Sequence, residues 1–131
     1  MPSPAVRFRI DFGPQQAVGP GKIALLEHIG SSGSLSRAAR ELRMSYRRAW
    51  QLLESLNSGF AKPVAATVRG GRAGGGATLT PFGRELIQVY RKFDAEIQAR
   101  AVRRFRPIAS QARRAARGTP KPAPVVPLAR R

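Results

Sequence analysis

Between Arg47 and Ser55 the sequence holds residue types that suit the edges of nucleic-acid bases. With 3.6 residues per helical turn, Arg47, Arg48, Gln51 and Ser55 gather on one outward side of a helix, with Glu54 beside them. Arginine donates two parallel hydrogen bonds to guanine O6 and N7, and glutamine exchanges two with adenine N6 and N7. These residues crowd the N-terminal half of the helix, the half that enters a major groove in helix-turn-helix docking. The competing reading is a merely solvated polar face. The elements around the helix weigh against that.

A second stretch, "RGGRAGGGATLTPFG" from Arg69 to Gly83, holds six of the chain's thirteen glycines. A phosphate cradle of the Walker type requires G-x-x-x-x-G-K-[ST], and here Gly70 and Gly75 are followed by Gly76 and Ala77, without the lysine. No G-x-G-x-x-G register fits either, and no helix follows the glycines directly. "PVAATV" before and "ATLT" after read instead as two strands around a glycine-rich turn. Arg69 and Arg72 give that hairpin positive charge, and its tip suits contact with a DNA backbone or minor groove.

Other chemistry finds little support. The chain has no cysteine and a single histidine, His28, so a transition-metal site and a nucleophile–histidine pair both lack partners. Seven scattered carboxylates assemble no acid–base pair. No cofactor and no enzymatic activity are expected.

The elements that must position the arginines follow from periodicity. "AVRFRIDF" alternates Val6, Phe8, Ile10 and Phe12 against Arg7, Arg9 and Asp11, the period of a half-buried strand. "GPQQAVGPG" then breaks it. A helix over about 21–31 carries Ile23, Leu26 and Ile29 with Leu25, and ends at Gly30 to Gly33. Ser34 caps a short alanine-rich helix with Leu35, Ala38, Ala39 and Leu42 on one face. Arg43 and Met44 form a turn, and Ser45 caps the next helix, whose inner face is read as Tyr46, Ala49, Trp50, Leu53 and Leu56 with Leu52 at its border. Small alanines allow the steep, close crossing of a helix-turn-helix. Thr80 and Pro81, as N-cap and first helical residue, open a long helix bearing Phe82, Leu86, Val89, Tyr90, Phe93 and Ile97. The sequence predicts that Arg106-Pro107 stops it.

The fold expected is mainly α with a small β component: an N-terminal strand, a winged helix-turn-helix with a β-hairpin wing, and a long C-terminal helix. Residues 1–106 form that DNA-binding and dimerisation domain, and 107–131 a disordered basic Pro/Ala/Arg tail. Phe82, Leu86, Val89, Phe93 and Ile97 are expected to pack first on their own domain and then on a second subunit.

Net charge is +17, and residues 97–131 hold ten Lys/Arg and no acid. A potential of that sign gathers polyanions, with double-stranded DNA first and an anionic membrane surface second. No apolar run approaches the ~20 residues of a membrane span, and the N-terminus lacks a secretory segment. A cytoplasmic, nucleoid-associated protein with no membrane partner is expected.

The combination of "MSYRRAW" with "GGGATLTPFG" resembles the N-terminal DNA-binding domain of ModE-type molybdate-dependent transcription regulators, over about residues 5–100. LysR-type regulators share a more distant version of the same winged helix. The resemblance implies a homodimer on a roughly palindromic operator, with Ser45, Tyr46, Arg47 and Arg48 at the start of the recognition helix. It places Arg72 through Gly76 on the wing, Gly74 and Gly75 included. Arg43 departs from the glycine usual in such turns. Members of the family bind molybdate in a separate C-terminal module, for which this chain is expected to have no room, so molybdate sensing is not carried over. Two other readings stay open: a sequence-tolerant architectural DNA-binding protein, and an adaptor whose partner supplies ligand sensing.

Overall fold

The apolar spacing from Ile23 onward does form the buried side of a helix. In the computed structural model, which describes residues 3–14, 16–68 and 76–113, α1 spans Pro20–Ser32 with proline at its start. It closes on Gly33, whose φ of 70° is left-handed and whose N–H donates to the Ile29 carbonyl at 2.8 Å. Ser34 then caps α2, Leu35–Glu41, by accepting from the Arg37 N–H at 3.1 Å. Ser45 caps α3, Tyr46–Gly59, in the same way through the Arg48 N–H at 3.0 Å. Ile23, Leu25, Leu26 and Ile29 of α1 meet Leu35, Ala38 and Ala39 of α2 and Ala49, Leu53 and Leu56 of α3 in one core.

The N-terminal region is more than one interrupted strand. Only Ile10–Gly13 forms a strand, β1, and it pairs antiparallel with β2, Gln16–Val18. The glycine and proline residues read as a break are therefore the turn and flank of a hairpin, and Val18 is fully buried. Upstream, Val6 and Phe8 are half-buried and Arg7 and Arg9 exposed, so the alternation is present without a strand partner. Its inner residues lie on the long helix instead: Phe8 stacks on Tyr90 with ring centroids 4.8 Å apart and meets Phe93 edge-on at 5.4 Å.

After α3, β3 (Ala65–Val68) pairs antiparallel with β4 (Gly76–Leu79), with Ala65 opposite Leu79 and Val68 opposite Gly76. Residues 69–75, on which the expected wing-tip contacts fall, lie outside the described residues. Thr80 caps the last helix by accepting from the Gly83 N–H at 3.0 Å while its hydroxyl donates to the Pro63 carbonyl at 2.6 Å. That helix, α4, spans Pro81–Ala109, roughly 43 Å at 1.5 Å per residue.

Pro107 does not stop α4, as the sequence predicted, but sits inside its last turn. Proline cannot donate to the preceding turn, yet the Ser110 N–H still reaches the Arg106 carbonyl at 3.3 Å and closes the helix beyond it. The boundary drawn at residue 106 therefore cuts a continuous helix. The expected tail beyond residue 113 lies outside the described residues.

Candidate nucleic-acid interface

Close approach of α2 and α3 comes from side chains that are nearly absent. Ala38, Ala39 and Ala49 are all buried between them, so the crossing has no bulky residue to separate the axes. Arg43 makes the turn in a left-handed conformation, φ 58°. Its N–H donates to the Arg40 carbonyl at 3.1 Å, and the Met44 N–H reaches the Ala39 carbonyl at 2.9 Å. This bond pattern is a Schellman closure of α2. Four residues, Leu42 to Ser45, separate α2 from α3.

On α3 the structure leaves Arg47, Arg48 and Gln51 exposed. None of them makes an ion pair among the described residues, and none has a carboxylate on the first turn of its helix. Arg37, Arg40 and Arg43 are exposed as well, so five arginines lie between residues 37 and 48. The only acid among them, Glu41, is taken by His28 Nδ1 at 2.9 Å and by Arg37 at 3.8 Å. The result is a face of strongly positive charge at the N-terminal end of α3.

Tyr46 and Trp50 are not on the inner face. They are 54% and 47% exposed, because the buried stripe of Ala49, Leu53 and Leu56 is narrow and both aromatics lie to one side of it. Trp50 and Gln51 instead border a cleft of 580 Å³ between α3 and the β1–β2 turn, with Phe12, Gln16 and Ser58. Ser55 lines the same cleft and is half-buried, its hydroxyl accepting from Lys22 Nζ at 3.1 Å. Lys22 also donates to the Ala17 carbonyl at 2.7 Å. Partial burial and the nearby charge of Arg48 hold its ammonium below the usual lysine pKa. One lysine thus ties the β1–β2 hairpin to α3.

Residues that periodicity did not single out fix the wing. Asn57, at the end of α3, accepts from the Val64 N–H at 2.7 Å and donates to the Ala65 carbonyl at 3.1 Å. Ala77 of β4 donates to the Gly33 carbonyl at 2.9 Å, which ties the wing to the end of α1. Gly83 lies so close to the Val64 carbonyl that a Cβ there would meet its oxygen at 2.0 Å. A glycine in the first turn of a helix was the available signal for that contact. A border asparagine such as Asn57 gave none. Gln16, buried with its Oε1 unpartnered among the described residues, was equally hidden from periodicity.

The expected dimer residues split. Phe82 packs edge-on against Phe60 with centroids 5.3 Å apart. Leu86, Val89 and Phe93 join Ile10, Phe12, Val18 and Tyr90 around a wholly apolar groove of 310 Å³. Val89 and Phe93 remain 61% and 41% exposed. Ile97 is half-buried farther along α4 and does not line the groove.

Known proteins match 61–71% of this chain. A molybdenum-pterin-binding protein, MopB, of Rhodobacter capsulatus is 45% identical over 80 residues, 61% of this chain and 30% of MopB. The molybdenum transport protein ModE of Azotobacter vinelandii is 37% identical over 93 residues, 71% of this chain and 34% of that protein. Over about 60% of its length the chain is a homologue of the ModE-type regulators. The DNA-binding transcriptional dual regulator ModE of Escherichia coli K12 is 40% identical over 82 residues, 63% of this chain and 31% of ModE. The chain therefore spans about a third of the length of these ModE-type relatives. No family model matches it. Among the described residues no helix is long and apolar enough to cross a membrane, and no group of three His, Cys, Asp or Glu side chains could hold a metal ion.

Proposed function

We propose that the chain is a sequence-specific, double-stranded-DNA-binding transcriptional regulator that acts as a homodimer on a roughly palindromic operator. The observation that carries this reading is the first two turns of α3: Arg47, Arg48 and Gln51 stand exposed and without carboxylate partners on a helix anchored by buried alanines. Arg47 and Gln51, with Arg48, read base edges in the major groove. Ser45 and Tyr46, at the helix start, lie beside the backbone. Ser55, held by Lys22, takes a positioning role at the rim. Arg69, Arg72, Gly74 and Gly75 bring the wing to the backbone or minor groove. The naming of the E. coli relative as a DNA-binding transcriptional regulator supports the same reading.

The apolar groove along Leu86, Val89 and Phe93 supports a second copy as its cover, because wholly apolar exposed surface of this kind marks association. Two-fold symmetry then presents two copies of α3 to one duplex, one or more helical turns apart, and the operator repeats inversely. The protein works in the cytoplasm, at the nucleoid, without enzymatic activity.

Selection of bound duplexes from a random-sequence pool by the full chain tests this. An enriched inverted repeat is expected. Binding without enrichment favours the architectural reading, which the ten cations and no acid of residues 97–131 support. No duplex binding at all, with capture of a protein partner, favours the adaptor.

A further inference from the structure

Among the described residues two adopt a left-handed backbone, Gly33 and Arg43. Both end a helix, Gly33 after α1 through a single bond to the Ile29 carbonyl and Arg43 after α2 through the Schellman pair. Glycine reaches this conformation freely, whereas a side chain there crowds its own backbone. At Gly33 the chain uses the residue that the geometry favours. At Arg43 it does not, although only the backbone N–H groups of Arg43 and Met44 make the closing bonds, and glycine would supply them equally.

What arginine adds at this position is therefore only its side chain. That side chain does not stabilise the fold in any visible way. Arg43 is exposed and makes no ion pair or side-chain hydrogen bond among the described residues. No carboxylate follows it before Glu54, and the preceding one, Glu41, is held by His28 and Arg37. Left-handed non-glycine residues retained against their backbone cost gather at functional sites. Arg43 stands between Arg40 near the end of α2 and Arg47 in the first turn of α3. In helix-turn-helix docking, the turn ahead of the recognition helix lies at the rim of the groove, where the phosphates run.

We propose that Arg43 is a phosphate-binding residue, its guanidinium holding the DNA backbone at the groove rim and so setting how deeply α3 enters. This rests on the DNA-binding reading above and adds to it a residue in the turn itself. A phosphate contact carries affinity and salt dependence but no base preference.

The Arg43→Gly variant of the full chain separates fold from function, because the two effects have opposite signs. Its melting temperature is expected to equal or exceed the parent's. Its affinity is expected to fall several-fold for a random-sequence duplex and for the best selected duplex alike. The slope of log K against log salt is expected to lessen by about 0.9 for each protomer bound. A variant that binds both duplexes with the parent's affinity and salt slope overturns the proposal alone. So does one that melts well below the parent, since Arg43 would then be holding the fold. A parent chain that binds no duplex overturns the DNA-binding reading and this assignment with it.

Discussion

Asn57 accepts a hydrogen bond from the Val64 N–H at 2.7 Å, and so joins the end of α3 to the start of the wing. Its amide nitrogen completes the link at the Ala65 carbonyl, 3.1 Å away. This side chain is the direct tie between the wing and α3. Replacing it with leucine, of similar size, leaves a partly buried N–H unpartnered, at a cost of about 1–3 kcal/mol. Asn57→Leu is expected to lower the melting temperature and to weaken DNA binding, measured by thermal denaturation and by titration of a duplex.

Gly83 and Gly21 should respond oppositely to alanine. A Cβ at Gly83 collides with the Val64 carbonyl oxygen, a backbone atom that cannot swing aside. Gly83→Ala is therefore expected to cost about 1–3 kcal/mol through overpacking. Gly21 lies in α1 with nothing within 4 Å of a Cβ, so Gly21→Ala is expected to stabilise by up to about 1 kcal/mol. Paired denaturant melts measure both.

These two glycines also show what could be read without coordinates. The caps at Ser34, Ser45 and Thr80, the alanine-rich crossing and the exposed arginines were all legible, because each depends on neighbours within one helical turn. Contacts between distant segments were not. Gln98 exchanges two hydrogen bonds with the Val6 backbone, at 2.8 and 2.7 Å across 92 positions, and no local pattern announces that pairing. The β2 strand was hidden because its three residues lie among glycines and prolines. Tyr46 and Trp50 were misplaced because helical periodicity gives an angle around the axis but not the width of the buried stripe. Pro107 misled because it forfeits only its own bond to the preceding turn, while the Ser110 N–H to Arg106 carbonyl bond carries the helix past it.

Val89 offers a clean test of the proposed subunit interface. It is 61% exposed in the single chain, so a charge there disturbs little within one protomer. In a dimer covering the apolar groove, the same charge would be buried without a partner. Val89→Glu is expected to convert a dimer to a monomer with unchanged helical content, measured by sedimentation and circular dichroism. An unchanged mass would move the interface elsewhere.

Acid should loosen the attachment of α4 to α1. Arg91 donates from Nε and Nη2 to the two carboxylate oxygens of Glu27, at 2.9 and 2.6 Å. Those hydrogen bonds hold the Glu27 carboxyl below the usual carboxylate pKa, with burial opposing them. A lowered folded-state pKa contributes stability that is fully present above the unfolded value of about 4.3. That contribution is lost as pH falls through the folded value. Glu27→Gln is therefore expected to melt below the parent at neutral pH and to approach it as pH falls below about 4. Solvent exposure of the pair keeps the neutral-pH gap small. Melting curves of both proteins across that range measure it.

The central claim is that α3 reads bases through Arg47 and Gln51. The direct measurement is the sequence preference of the Arg47→Ala and Gln51→Ala variants, selected from the same random duplex pool as the parent. Each variant is expected to keep the half-site spacing and lose discrimination at one base position per half-site, worth about 1–3 kcal/mol for a bidentate contact. Variants that enrich the parent's sequence with undiminished preference would contradict the claim.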